Sequence, residues 1–119
     1  MKLNEYQTKA MKFGKYTTND YPFLALPEEV GEVMGKLAKH IRKSGCSLST
    51  TIFDVNNGSC NTSITLRADL KKELGDVFWQ FAACCSELGF DIEDVATGNL
   101  EKLGDRSERG VIVGEGDNR

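Results

Sequence analysis

Two stretches of this chain carry pairs of carboxylates three residues apart inside an apolar helical pattern. The first is Leu26-Pro27-Glu28-Glu29-Val30-Gly31-Glu32-Val33, and the second is Leu70-Lys71-Lys72-Glu73-Leu74-Gly75-Asp76-Val77. Residues i and i+3 are neighbours on one face of a helix. With Leu26 as the zero of a wheel at about 100° per residue, Val30, Val33, Leu37 and Ile41 fall within about 60° of it and form a buried stripe. Glu29 and Glu32 sit at about −60° and −120°, on one shoulder of that stripe, and Glu28 points nearly away. With Leu70 as zero, Leu74, Val77, Phe81, Cys84 and Leu88 make the stripe, and Glu73 and Asp76 occupy the same two angles. Packing the stripes together brings four carboxylates to one edge of the bundle. Partly desolvated anions repel one another unless a positive charge sits among them. A hard divalent cation with oxygen ligands, Mg²⁺ or in its place Mn²⁺, meets that need. The plain alternative is that each pair is a solvated helix face.

Other side chains suit the phosphates that such a cation commonly shares. Lys36 is one turn from Glu32 and two from Glu29, placed either to pair with them or to contact a phosphate. Asn99, Lys102 and Arg106 lie within about 40° of Val95 on a later helix, an amide and two cations beside a core edge. A solvated basic face is the alternative there. The sole histidine, His40, lies outside both acidic pairs. That argues against carboxylate-bridged di-iron chemistry, which requires Glu-x-x-His.

Length and composition bound the protein that holds these residues. A chain of 119 residues is one domain with room for a core. Its hydrophobic fraction of 39% and charged fraction of 28% are ordinary for a globular protein. A net charge of −3 has the wrong sign for a nucleic-acid binder held by bulk electrostatics. The four cysteines, Cys46, Cys60, Cys84 and Cys85, form no CxxC pair. They read as free thiols in a reducing compartment, a Cys46–Cys60 bridge requiring an oxidising one. No segment has the apolar run of a signal peptide or membrane span, so no membrane partner is expected and the protein reads as cytoplasmic.

The elements that position the site read as an all-α bundle of about four helices. Leu3, Tyr6, Ala10 and Phe13 give a first helix over 2–16, ended by Gly14. A polar connector leads to a second helix that starts near Phe23, or at Pro27 if that proline takes a first helical position, and runs to about Lys43 with Gly45 closing it. Residues 46–65, rich in Ser, Thr and Asn, read as a long surface loop, with Asn57-Gly58 a hairpin-turn dipeptide and a lid over the site as a possible role. Leu66 to Leu88 is the third helix, stopped by Gly89. Asp91 caps a fourth that runs to about Arg106. Residues 110–119 form a Gly-rich tail, or a short strand through Val111-Ile112-Val113. Trp79 falls opposite the third helix's stripe and is expected to pack between subunits rather than on a base. Tyr6, Gln7 and Phe13 are candidates for a base pocket.

Glu28-Glu29-x-x-Glu32 followed by Glu73-x-x-Asp76 resembles the EExxE…ExxD signature of the MazG-like nucleoside triphosphate pyrophosphohydrolases, members of the all-α NTP pyrophosphatase superfamily. The flanking Leu-x-Glu-Glu-Val-Gly-Glu and Glu-Leu-Gly-Asp-Val are similar too. The likeness runs from the first helix to about Arg109, making 1–109 the domain and 110–119 a tail, although the 33–72 spacer is longer than in compact relatives. The resemblance implies Mg²⁺-dependent hydrolysis of a (d)NTP between its α and β phosphates, giving the monophosphate and pyrophosphate. It also implies Glu29, Glu32, Glu73 and Asp76 as metal ligands and catalytic residues, and homodimers or homotetramers with sites near subunit interfaces. Glu28 aligns with the first Glu of the motif, as a support behind the ligands or an interface residue. The family has a similar Asn-x-x-Lys then Arg on its last helix, implying that Asn99, Lys102 and Arg106 bind substrate. Two rivals stand beside this expectation: phosphoribosyl-ATP pyrophosphohydrolase, and a non-catalytic helical interaction module.

Overall fold

Three- and four-residue apolar spacing produces helices along nearly the whole chain. The computed structural model describes residues 1–119 and contains α1 (Leu3–Ala10), a 3₁₀ turn (Met11–Phe13), α2 (Tyr21–Ser44), α3 (Leu48–Asn57), α4 (Asn61–Glu87) and α5 (Ile92–Glu108), with no strand. No helix is long and apolar enough to cross a membrane. The four cysteines are free.

The long helices α2 and α4 form the central pair, and they run antiparallel. Glu29 lies beside Asp76, Lys36 beside Glu73, and Lys43 beside the start of α4. Leu26, Val33, Leu37, Ile41, Leu70 and Val77 are half-buried along this seam. One flank of each stripe stays open. Val30 and Met34 on α2, and Leu74 and Phe78 on α4, occupy matching wheel angles of about 40° and 80° and are exposed. Only 14 of 119 residues are buried. The radius of gyration, 17.5 Å, exceeds the about 13.5 Å of a compact domain this long. The chain is a plate whose apolar faces are incompletely covered.

The tightest core lies where α1, α4 and α5 meet, around Ala82, Cys85 and Ile92, with Tyr6, Met11, Phe81 and Val95 packed against them. Asp91 occupies the N-cap position of α5, but its side chain makes no capping bond. The cap comes from α1 instead: Gln7 Oε1 accepts from the Ile92 N–H at 3.1 Å, and Asn4 Oδ1 from the Glu93 N–H at 3.1 Å. Gln7 also donates to Ser86 Oγ and the Phe90 carbonyl. The Gln7 carboxamide is therefore fully used in joining α1, α4 and α5 rather than free for a base.

The expected loop over 46–65 is corrected to a helix, α3, and an earlier start of α4. Leu48, Thr51, Ile52 and Val55 have helical spacing, Ser47 caps the N-terminus by accepting from the Thr50 N–H at 3.1 Å, and Gly58 stops the helix at φ 59°. Asn57-Gly58 is thus a helix stop and not a hairpin turn. α3 packs on α4 and α2 at the Lys43 end of the seam, away from Glu29. The second helix also begins earlier than expected, at Tyr21, with Pro22 in the early-helix place and Pro27 inside. Pro27 removes one helical N–H, but the turn before it, Phe23 and Leu24, is open to water that can satisfy the freed carbonyl. Val111-Ile112-Val113 forms a turn, with the Gly114 N–H donating to the Val111 carbonyl, and the tail folds back through Arg119, which donates to the carbonyls of Val111 and Ile112.

Candidate metal centre

Antiparallel packing of α2 on α4 brings Glu29, Glu73 and Asp76 together, one carboxylate oxygen of each lying within 4.8 Å of the others. Glu29 and Glu73 are half-buried, and Asp76 opens to solvent. Burial pushes the Glu29 carboxyl above the ordinary glutamate range, and the charges of Asp76, Glu28, Glu73 and Glu32 push the same way. Lys36 Nζ stands 3.6 Å from Glu73 Oε1 and answers part of this negative charge. Three carboxylate oxygens with one ammonium to balance them suit a hard divalent cation, which prefers oxygen donors and completes its shell with water or phosphate oxygen. Nitrogen and thiol ligands are lacking in the cluster, which disfavours zinc.

Of the four acids that the sequence nominated, three converge. Glu32 is exposed and outside the trio, although Asp76 at the matching wheel angle belongs to it, and the charge of Glu32 reaches Glu29. Glu28 is exposed as well, and it too acts on Glu29 through charge. The face of α5 has its partners elsewhere. α5 packs chiefly on α1. Arg106, only 5% exposed, donates to the Asp117 carbonyl at 2.9 Å and to its carboxylate at 3.2 Å. Lys102 stands 3.6 Å from the same carboxylate, and Asn99 is exposed. The sequence read the basic pair correctly as facing one way, but it held no signal that Asp117 would fold back onto it.

Cavities adjoin the cluster. One of about 430 Å³ has Glu29 on its wall together with Phe13, Tyr16, Tyr21, Trp79 and Gln80. A second, of about 370 Å³, has Asp76 with Tyr6, Lys9, Phe13 and Trp79. An open groove of about 480 Å³ runs from Lys36 along Lys39, His40 and Lys43. None of Asn99, Lys102 and Arg106 lines any of the three. Trp79 packs within the chain, its indole N–H donating to the Ala10 carbonyl at 3.2 Å. Sequence reasoning passed over Gln80 and the 14–20 connector. The signal it overlooked was Gln80 itself, a polar residue one position before Phe81 of the stripe.

Comparison with known proteins adds the lineage. The family model for the MazG nucleotide pyrophosphohydrolase domain matches residues 18–111. The Gene 37 protein of Mycobacterium phage L5 is 37% identical over 100 residues, a span covering 83% of this chain and 75% of that protein. No solved structure gives a significant match.

Proposed function

The chain belongs to the MazG nucleotide pyrophosphohydrolase family, and on that premise we propose that it hydrolyses a nucleoside triphosphate between the α and β phosphates, using a divalent cation held by Glu29, Glu73 and Asp76. The observation that carries this reading is the meeting of those three acids across the α2–α4 seam. Water adds its oxygen to one phosphorus, the bridging P–O bond breaks, and the products are the monophosphate and pyrophosphate. The role suits clearing a surplus or aberrant (d)NTP from the nucleotide pool. Mg²⁺ fits the donor set, with Mn²⁺ a hard substitute. When bound, the cation neutralises charge developing on the phosphoryl group and acidifies the attacking water.

The chain's own residues have distinct tasks. Glu29, Glu73 and Asp76 would hold the cation, and Glu32, one helical turn from Glu29, would be the next carboxylate available to it. Lys36 moves its charge from Glu73 to a phosphate oxygen. Lys39, His40 and Lys43 line the groove beyond it and receive the β and γ phosphates.

The open flank of Val30, Met34, Leu74 and Phe78 supports self-association, because four apolar side chains at matching angles on antiparallel helices make a patch that a second copy covers. Leu74→Glu would shift the sedimentation of a dimer or tetramer to that of a monomer. Free cysteines at all four positions are in keeping with a reducing, cytoplasmic setting.

The decisive assay is pyrophosphate release from a panel of ribo- and deoxyribonucleoside triphosphates, with Mg²⁺ and with chelator. Cation-dependent release by the wild type and a loss of roughly 100-fold or more in Glu73→Gln are expected. No release from any triphosphate or from phosphoribosyl-ATP would favour a non-catalytic helical interaction module.

A further inference from the structure

One end of α5 pairs a cation that the fold has buried with an anion that it has not. Arg106 is 5% exposed, and its guanidinium donates to the Asp117 carbonyl at 2.9 Å and to Asp117 Oδ1 at 3.2 Å. Lys102, one turn back on the same helix, holds its Nζ 3.6 Å from that same carboxylate oxygen. The Asp117 side chain is nevertheless 85% exposed. The next cation along, Arg109, is already answered by Asp105 at 2.8 Å. Lys102 and Arg106 therefore share one carboxylate, brought back from eleven residues beyond Arg106.

The fit of that carboxylate is loose. Both Arg106 bonds leave from one nitrogen, so the guanidinium fork does not grip the carboxylate in two places. One oxygen serves two cations, and the Lys102 separation is longer than a hydrogen bond. A phosphate group carries more charge and three acceptor oxygens, enough for the fork and the ammonium together.

The segment that carries Asp117 is fastened by few bonds. The Val111 N–H donates to the Arg106 carbonyl at 2.9 Å, and the Gly114 N–H to the Val111 carbonyl at 3.0 Å. Arg119 closes the loop by donating to the Val111 and Ile112 carbonyls at 2.9 and 3.0 Å. Ile112 and Val113 are exposed, so no apolar anchor holds its middle. A segment with few buried contacts opens at low cost.

We propose that residues 110–119 are an autoinhibitory strap: Asp117 fills a phosphate-binding place at Lys102 and Arg106, and a phosphate-bearing ligand displaces it. Being tethered, the carboxylate competes at an effective concentration on the order of millimolar. The bond from Arg106, then the charge of Lys102, hold the Asp117 carboxyl below its usual range, so the strap stays ionised near neutral pH. Exchanging one anion for another breaks no covalent bond. The strap therefore stands or falls independently of pyrophosphate release at the acidic cluster.

The test is an amide-resonance titration of isotope-labelled full chain with inorganic pyrophosphate, in chelator to keep metal out of the acidic cluster. Amides around Lys102 and Arg106 are expected to shift together with Gly114 and Gly116, at one half-saturation, as the strap leaves. Asp117→Asn tightens binding about tenfold by removing the tethered competitor. Arg119→Ala tightens it too, although it removes a positive charge, because the loop that presents Asp117 is opened. Lys102→Met weakens it and spares the buried Arg106. Movement of α5 with the tail glycines still overturns the strap, as does tightening in Asp117→Asn alone, which is the loss of a repelling charge. An unchanged titration in Lys102→Met, or no shift in α5 at saturating pyrophosphate, overturns the phosphate place itself.

Discussion

Lys36 Nζ lies 3.6 Å from Glu73 Oε1, so the two helices that build the acidic cluster are also tied by a cation across it. The pair is partly open to solvent, and an ion pair of that kind contributes only about 0–1 kcal/mol to stability. Its worth is greater when a phosphate takes the place of Glu73. Lys36→Met is expected to leave the melting temperature almost unchanged and to lower kcat/KM for the triphosphate by roughly tenfold. Steady-state kinetics beside a thermal melt separates the two effects. A large loss of stability with unaltered kinetics would make Lys36 a structural brace.

Glu29 gives the cluster a pH signature. Its carboxyl is raised, mainly by burial and then by neighbouring acids, so the folded protein holds that proton more tightly than the unfolded chain. The stability this supplies is complete below the ordinary glutamate value and is lost as pH rises through the raised one. Once that proton is lost, the cation-free protein carries a carboxylate repelled by its neighbours. Glu29→Gln is expected to raise the melting temperature without Mg²⁺ and to abolish the further rise that Mg²⁺ gives the wild type. That rise corresponds to about 2.7 kcal/mol at a cation concentration one hundred times Kd. Calorimetric scans with and without Mg²⁺ across about pH 5 to 8 read both effects.

Tyr16 holds the connector between the 3₁₀ turn and α2 against the end of α4. Its hydroxyl donates to Glu87, and that bond, with burial and the carboxylate's charge, pushes the phenol up to about 12. The folded value exceeds the unfolded one of 10.0, so the bond's contribution is intact below pH 10 and is lost as pH rises through about 12. Following tyrosinate absorbance during an alkaline titration should show this late ionisation, and Tyr16→Phe should remove it while costing about 1 kcal/mol of stability.

The cysteines divide by environment. Cys60 is exposed at the start of α4, where bonds from the backbone and side chain of Ser63 lower its pKa. Cys84 and Cys85 are buried, and burial raises both. A thiol reagent at neutral pH should label Cys60 rapidly and leave Cys84 and Cys85 untouched until denaturant is added. Mass-mapped labelling over time reads the order. Early modification of Cys84 would mean that the α4 core opens readily.

The all-α class and three of the cluster's acids were legible in the sequence because both rest on local periodicity, which a helical wheel converts directly into faces. Glu29, Glu73 and Asp76 needed only the assumption that two stripes pack. Glu32 escaped that logic, since an angle on a wheel does not say how far around a seam a side chain still reaches its neighbour. α3 was missed for a different reason. Its Ser, Thr and Asn content resembles a loop, yet Ser47 and Gly58 bracket an i, i+3, i+4, i+7 pattern that composition masked. The hold of Asp117 on Arg106, and the capping of α5 by Asn4 and Gln7 in place of Asp91, depend on residues brought together by the whole fold. No local window contains them.

Gln7 and Asn4 bond to backbone groups 85 and 89 positions further along the chain. The N-terminus of α5 is thus completed only when α1 has come to lie against it. Trimming the leading residues, or crowding them with a fused tag, would fray the opposite end of the molecule first.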